Sequence, residues 1–211
     1  MRFELIAFDL YGTLLAIEKL EGALAAILGG DAGKLLGAWR KAQLARTWEL
    51  NQRGEYEPFG QVTARALAQV APHLSPEVME RACKAWLTVP AHPDAAPALR
   101  KLRAAGVRLA VLSNGTAPMI RSALEAAGLS IDEVRSVDEV RVYKPDARVY
   151  ALLDQMAPRD RTLFVSSNGW DVDGCKKTGR MVAYVDRGGI RPTSLPDIRV
   201  TSLEGLAPAR E

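Results

Sequence analysis

The sequence FELIAFDLYGTLL at residues 3–15 places a carboxylate, Asp9, at the end of a mostly apolar run and just before the turn Tyr11-Gly12-Thr13. An apolar run of this length, stopped by a turn, reads as a buried strand of a parallel sheet. Ligands of open α/β sheets bind beyond the carboxyl ends of such strands. A carboxylate there faces a cleft, where it can serve as a nucleophile or a metal ligand. Three other places combine polar residues with strand ends. They are Ser113-Asn114 after VRLAVL, Lys144 before Pro145, and Ser166-Ser167-Asn168-Gly169-Trp170-Asp171 after TLFV. Each alone has an ordinary explanation. Asp9 can cap a turn and Asp171 a helix, Asn114-Gly115 is a common turn dipeptide, and a lysine beside proline is commonly solvated. All four together, on separate strand ends, describe one site.

The elements that must position these residues alternate between strand and helix, apart from one long segment. Strands are expected at 107–114, 134–137, 162–168 and 181–187, with a short one near 198–200. Helices are expected at 117–127, stopped by Gly128, and at 146–156, opened by Pro145. Such alternation implies a parallel sheet covered by helices on both faces. Residues 16–90 contain no convincing strand, only amphipathic segments near 18–28, 33–51, 58–71 and 75–87. This stretch follows the first strand directly, so it is expected to sit over that strand's carboxyl end as a helical cap. The expected organisation is an α/β protein with a Rossmann-like core, 1–15 and 91–211, and a helical cap domain, 16–90. The Pro-rich stretch 90–97 reads as the returning linker.

With 211 residues the chain suits one α/β domain plus a modest insertion. A hydrophobic content of 48% and a charged content of 25% are ordinary for a soluble globular protein. The net charge of +3 is small and scattered, with no basic run, which argues against nucleic acid. No apolar stretch approaches the roughly 20 residues that span a membrane. The first strand begins too early for a signal peptide. Cys83 and Cys175 lack metal-ligand spacing and are expected to be reduced, placing the protein in the cytoplasm. His73 and His92 sit in Pro-bearing connections, which does not favour histidine-based catalysis.

Several motifs together carry a resemblance. Asp9-Leu10-Tyr11-Gly12-Thr13, Trp39-Arg40, Leu112-Ser113-Asn114-Gly115, Tyr143-Lys144-Pro145 and Ser166-Ser167-Asn168-Gly169-Trp170-Asp171 occur in the order found in the haloacid dehalogenase superfamily. They resemble its type II (S)-2-haloacid dehalogenases most closely, and Tyr150 matches a further tyrosine of that pattern. Phosphatases of the superfamily carry a second aspartate two positions after the nucleophile, as general acid. Here that position holds Tyr11, a phenol with a pKa of roughly 10 and a poor substitute at neutral pH. Ser167-Asn168 likewise stands where phosphatases usually place a magnesium-binding Gly-Asp pair.

The resemblance implies metal-free and cofactor-free hydrolysis of small (S)-2-haloalkanoates to (R)-2-hydroxyalkanoates through an aspartyl ester, with the 2-haloacid and water as the only small-molecule partners. Asp9 would be the nucleophile, oriented by Lys144, Thr13 and Ser166 and supported by Tyr150. Arg40 would receive the halide, a role that suits a permanently charged, weakly hydrated guanidinium. Ser113 and Asn114 would hold the substrate carboxylate, while Tyr11, Leu44, Phe59 and Trp170 line the alkyl pocket. Asn168 and Asp171 would position the water, with Asp171 as general base and Lys144 able to share the task. Arg46 stands where the family often has an aromatic residue. A homodimer is left open. Two alternatives remain: a magnesium-dependent phosphatase of the same fold, and a catalytically silent binding relative.

Overall fold

A computed structural model describes residues 3–28 and 32–206; residues 207–211 of the expected core segment lie outside the described residues. Six strands form one sheet: β1 Leu5–Phe8, β2 Arg108–Ser113, β3 Glu133–Ser136, β4 Thr162–Ser166, β5 Met181–Val185 and β6 Ile198–Val200. Their order is β3-β2-β1-β4-β5-β6, and every pairing is parallel. From β1 the chain winds first through β2 and β3, then in the other direction through β4, β5 and β6. The winding direction switches between β1 and β4, where a crevice opens beyond the carboxyl ends. Phe8 is level with both Val111 and Val165. That register brings Asp9, Ser113 and Ser166 to the same edge of the sheet.

Alternation along the strands divides the core in two. Ile6, Phe8, Leu109, Val111, Leu163 and Val165 pack on one face of the sheet. Leu5, Ala7, Ala110, Leu112, Phe164 and Val182 pack on the other. The covering helices are α5 Ala95–Ala104, α6 Ala117–Ala126, α7 Ala147–Ala151 and α8 Gly169–Lys176. Between β1 and α5 come α1 Leu20–Leu28, α2 Ala32–Arg53, α3 Phe59–Val70 and α4 Pro76–Ala85. This insertion leaves and rejoins the sheet at one place, where the Ala16 N–H donates to Pro90 O at 2.8 Å and the His92 N–H to Leu14 O at 2.9 Å. No described helix is long and apolar enough to cross a membrane.

Two local expectations need correction. The stretch 90–97 is not all linker, because α5 begins at Ala95 and takes Pro97 into its first turn, where proline's missing N–H costs nothing. Helix 146–156 is not opened by Pro145: Asp146 is the N-cap, accepting from the Arg148 N–H, and α7 gives way to a 3-10 turn at Leu152–Gln155. On α2, Trp39, Leu44 and Trp48 do not share one buried face. Trp39 is fully buried, Leu44 half-buried and Trp48 42% exposed. The inward face instead carries Leu36, Trp39, Gln43, Thr47 and Leu50. Gln43 and Thr47 go inside because Gln43 Nε2 donates to Thr63 Oγ1 at 2.9 Å and Thr47 Oγ1 to Leu44 O at 2.8 Å.

Candidate active site

The loop after β1 is tight. Thr13, Leu14 and Leu15 all turn their N–H groups back to Leu10 O, and Gly12 has a φ of +92° that side chains rarely adopt. This turn aims the Thr13 hydroxyl at the Asp9 carboxylate, donating to Oδ2 at 3.0 Å. Asn168 Nδ2 donates to the same oxygen at 2.8 Å, and Lys144 Nζ donates to Oδ1 at 3.0 Å. Asp9 is 6% exposed. Three donors, one from its own loop and two from other loops, converge on one nearly buried carboxylate.

Lys144 is buried between two carboxylates, with Nζ 2.9 Å from Asp171 Oδ2 and 4.8 Å from the centre of the Phe164 ring. Burial alone would push its pKa down, but Asp171 and Asp9 together outweigh that and hold it above the ordinary lysine value. Asp171 is fully buried, and burial raises its carboxyl above the usual range against the pull of Lys144. Its Oδ1 accepts from the Tyr150 hydroxyl at 2.6 Å. Helix α8 comes this close because residue 174 is glycine: a Cβ there would lie 2.3 Å from Pro145 Cβ and 2.8 Å from the Tyr150 hydroxyl.

Arg40 reaches the same place from α2. Asp9, Tyr11 and Asp171 all act on its guanidinium electrostatically, opposing the burial that lowers its pKa. It makes no hydrogen bond or ion pair with another of the described residues, so the guanidinium faces the cleft with its donors uncommitted. Ser113 Oγ accepts from the Gly115 N–H at 3.2 Å, and Asn114 Oδ1 from the Lys144 N–H at 3.1 Å. The Ser113 hydroxyl proton and Asn114 Nδ2 have no acceptor among the described residues.

The remaining residues separate into those that meet Asp9 and those that do not. Ser166 does not orient Asp9 directly; its Oγ accepts the Asn168 N–H at 3.1 Å and so fixes the residue that does. Asn168 spends both amide hydrogens on Asp9 Oδ2 and Tyr11 O, leaving only its Oδ1 for a water. Tyr11 is buried with its hydroxyl donating to Trp86 O at 3.1 Å, and burial raises its pKa well above the usual tyrosine value. Trp170 stands edge-on to Trp48 of α2, ring centres 6.4 Å apart. Phe59 is buried against the Tyr143 ring, and Leu44 lies half-buried on α2. Arg46 pairs with Glu57 at 2.5 Å.

Two contributors were given no role in the site from the sequence. Ser167 ties the Asp9 loop to β4, accepting nothing from Asp9 itself but giving its N–H to Thr13 Oγ1 at 2.9 Å and its hydroxyl to Gly12 O at 2.5 Å. Asn51 bonds the backbone of Tyr143, beside Lys144. Ser167 was legible, being inside the Ser-Ser-Asn run; nothing in the local pattern marks Asn51.

Comparison with known proteins gives a consistent answer. The family model for haloacid dehalogenase-like hydrolases matches residues 3–179. An (S)-2-haloacid dehalogenase of Pseudomonas putida is 40% identical over 192 residues, covering 87% of this chain and 86% of that protein. Another, from Pseudomonas sp. strain YL, is 37% identical and covers 95% of this chain and 91% of its own. The structure of L-2-haloacid dehalogenase from Xanthobacter autotrophicus, with chloropropionic acid covalently bound, superposes with a TM-score of 0.91 at 30% identity, covering 97% of each chain. Similarity over this much of the chain, with an Asp9 carboxylate at the sheet's switch point, leaves one assignment: the protein belongs to the haloacid dehalogenase-like hydrolases and, within them, to the (S)-2-haloacid dehalogenase family.

Proposed function

We propose that the protein hydrolyses small (S)-2-haloalkanoates to (R)-2-hydroxyalkanoates through an ester on Asp9, with the insertion 16–90 acting as a cap over the cleft. The observation that carries this reading is the ammonium of Lys144, bonded to both Asp9 and Asp171. The position between the two carboxylates is already filled by a cation of the chain itself. A doubly charged phosphate ester would call for a divalent ion there to offset repulsion. A 2-haloalkanoate carries a single charge, remote from the carbon attacked, and needs no such ion. Halide, the anion of a strong acid, also leaves without a proton, which suits a Tyr11 hydroxyl committed to Trp86 O.

Asp9 attacks C2 opposite the halogen, forming a C–O bond as the carbon–halogen bond breaks and inverting the centre. Oδ2 accepts from both Thr13 and Asn168, while Oδ1 accepts only from Lys144. Oδ1 therefore keeps a lone pair for attack. The free guanidinium of Arg40 takes the halide, and the free donors of Ser113 and Asn114 take the substrate carboxylate. Half-buried Leu44 and Trp170 close the pocket around the alkyl group, with Tyr11 and Phe59 behind them. Water presented by Asn168 Oδ1 then adds to the Asp9 ester carbonyl, passing its proton to Asp171, whose raised pKa suits a base. Collapse breaks the bond to the alkyl oxygen, which takes the proton held by Asp171 and leaves as the hydroxyl of the product; the water's second proton passes to solvent and restores the Asp9 carboxylate.

The test is halide release from each enantiomer of 2-chloropropionate, with and without excess EDTA. Release from the (S) enantiomer alone, unchanged by chelation, is expected. Complete loss in EDTA with recovery in magnesium would overturn the mechanism.

A further inference from the structure

The two cations that meet the nucleophile belong to different parts of the molecule. Lys144 follows β3 in the core, and Arg40 lies on α2 of the insertion. One side chain bridges them. Asn51 Nδ2 donates to Tyr143 O at 2.7 Å, and the Tyr143 N–H donates to Asn51 Oδ1 at 2.9 Å. The amide thus pairs with the Tyr143 backbone at both its groups, much as a neighbouring strand would. Asn51 also lies on α2, eleven residues beyond Arg40. That is close to three full turns and about 16 Å along the axis, so the two side chains leave the helix on the same side.

Other contacts hold Tyr143 by its ring and hydroxyl. The ring packs 5.4 Å from that of Tyr56 and 6.1 Å from that of Phe59, and the hydroxyl donates to Glu57 O. These reach the tip of a side chain. Asn51 alone among the insertion's described residues hydrogen-bonds the Tyr143 backbone, and the carbonyl it meets belongs to the same peptide as the Lys144 N–H that Asn114 Oδ1 accepts at 3.1 Å. Two asparagines, one from each side, thereby fix the peptide from which the Lys144 side chain departs.

We propose that Asn51 is a positioning residue: its paired bonds to Tyr143 set the rotation and height of α2 so that Arg40 meets the leaving halide while Lys144 holds Asp9. The inference rests on the dehalogenase reading above. A helix freed at this end can turn about its axis or slide along it, and a misplacement of about 1 Å at a reacting group can cost on the order of a hundredfold. The loss should fall on halide stabilisation, because Lys144 retains its own bonds to Asp9, Asp171 and Asn114.

The experiment measures single-turnover halide release from (S)-2-chloropropionate and (S)-2-bromopropionate by the intact enzyme. The variants are Asn51→Leu, which removes both bonds, and Asn51→Asp, which keeps the acceptor for Tyr143 N–H and loses the donor. Asn51→Leu is expected to slow chloride release by about tenfold or more and bromide release distinctly less, because the poorer leaving group needs more help from Arg40. Asn51→Asp should fall between it and the parent. Combined with Arg40→Lys, Asn51→Leu should cost little further, since both act on one interaction. Equal losses for the two halides, or rates like the parent's, overturn the inference. If Asn51→Leu does not fold, Asn51→Asp decides by the same chloride-to-bromide ratio. A parent enzyme that releases no halide overturns the functional reading itself, and is thereby told apart from a failure of Asn51 alone.

Discussion

The two oxygens of Asp9 have different neighbours, and the proposed chemistry depends on the difference. Oδ2 is held by Thr13 and Asn168; Oδ1 has only the Lys144 ammonium. If Asp9 carries the ester, a single turnover with excess enzyme in oxygen-18 water places the label in the Asp9 side chain, because water adds to the carbonyl and the product keeps the original Asp9 oxygen. Label appearing directly in the hydroxyacid would mean that water attacks C2 and that Asp9 is only a base. Arg40 is tested separately. A preorganised donor where charge develops in a water-poor site contributes about 3–4 kcal/mol, whereas an exposed ion pair contributes about 0–1 kcal/mol. Arg40→Lys, shorter and more strongly hydrated, should therefore slow dehalogenation about tenfold or more with little change in melting temperature, and chloride substrates should suffer most. A fully active Arg40→Lys enzyme would mean that Arg40 takes no part in stabilising the leaving halide. At this scale Asp9, Thr13 and Lys144 were legible because motif and strand end coincide. Which atom a hydroxyl meets was not: Ser166, expected on Asp9, is one residue removed and holds Asn168.

Helix α8 shows what the pattern of a single element conceals. Its buried side carries Asp171, Val172, Gly174 and Cys175, a mixture with no clean apolar stripe, so spacing alone gives little hint of how closely it packs. The packing is decided at Gly174, where an added Cβ would stand 2.3 Å from Pro145 Cβ and 2.8 Å from the Tyr150 hydroxyl. Neither neighbour can retreat freely, since Pro145 follows Lys144 directly and Tyr150 bonds Asp171. Gly174→Ala should push α8 outward and lengthen the contacts of Asp171 with Lys144 and Tyr150. Overpacking of this kind costs about 1–3 kcal/mol, so the melting temperature should fall by several degrees. The hydrolytic half-reaction should also slow more than ester formation, visible as accumulation of the labelled Asp9 ester in rapid-quench mass spectrometry. An alanine variant with parental stability and no accumulated ester would show that α8 has slack at this point. The same limit explains α2: Gln43 and Thr47 are polar by type yet buried, because their partners lie on α3 and on the preceding turn of α2 itself, which a periodicity count does not see.

In the molecule as a whole, the alternation of strands and helices made the sheet and its winding legible, and the strand-free stretch 16–90 marked the insertion. What could not be read was how distant segments lock the Asp9 loop in place. Asp94, at the start of α5, does this from outside the cleft. Its carboxylate accepts from Arg187 at 2.9 Å, from the Ser202 hydroxyl at 3.1 Å and from the Leu203 N–H at 2.9 Å. The same Arg187 nitrogen donates to Thr13 O at 2.9 Å, so one ion pair joins the returning chain, the segment after β5, the last described turn and the Asp9 loop. Burial alone would raise the Asp94 carboxyl, but Arg187, Leu203 and Ser202 hold it below the ordinary value. The sign follows from linkage: a carboxyl with a lower pKa when folded adds stability above its unfolded value of about 3.9, and loses it as pH falls through the folded value. Asp94→Asn removes the charge and keeps the shape. Hydrogen bonds to a charged group contribute about 1.5–3 kcal/mol, and each kcal/mol shifts melting by about 2–4 °C in a domain of this size. The variant should therefore melt about 3–12 °C lower at pH 7, with the gap closing as pH falls below about 4 and through the lowered value at which the parent's own Asp94 takes up a proton. A gap that stays constant across that range would mean that the clasp works by shape alone, and that the Asp94 charge contributes nothing to the loop it ties down.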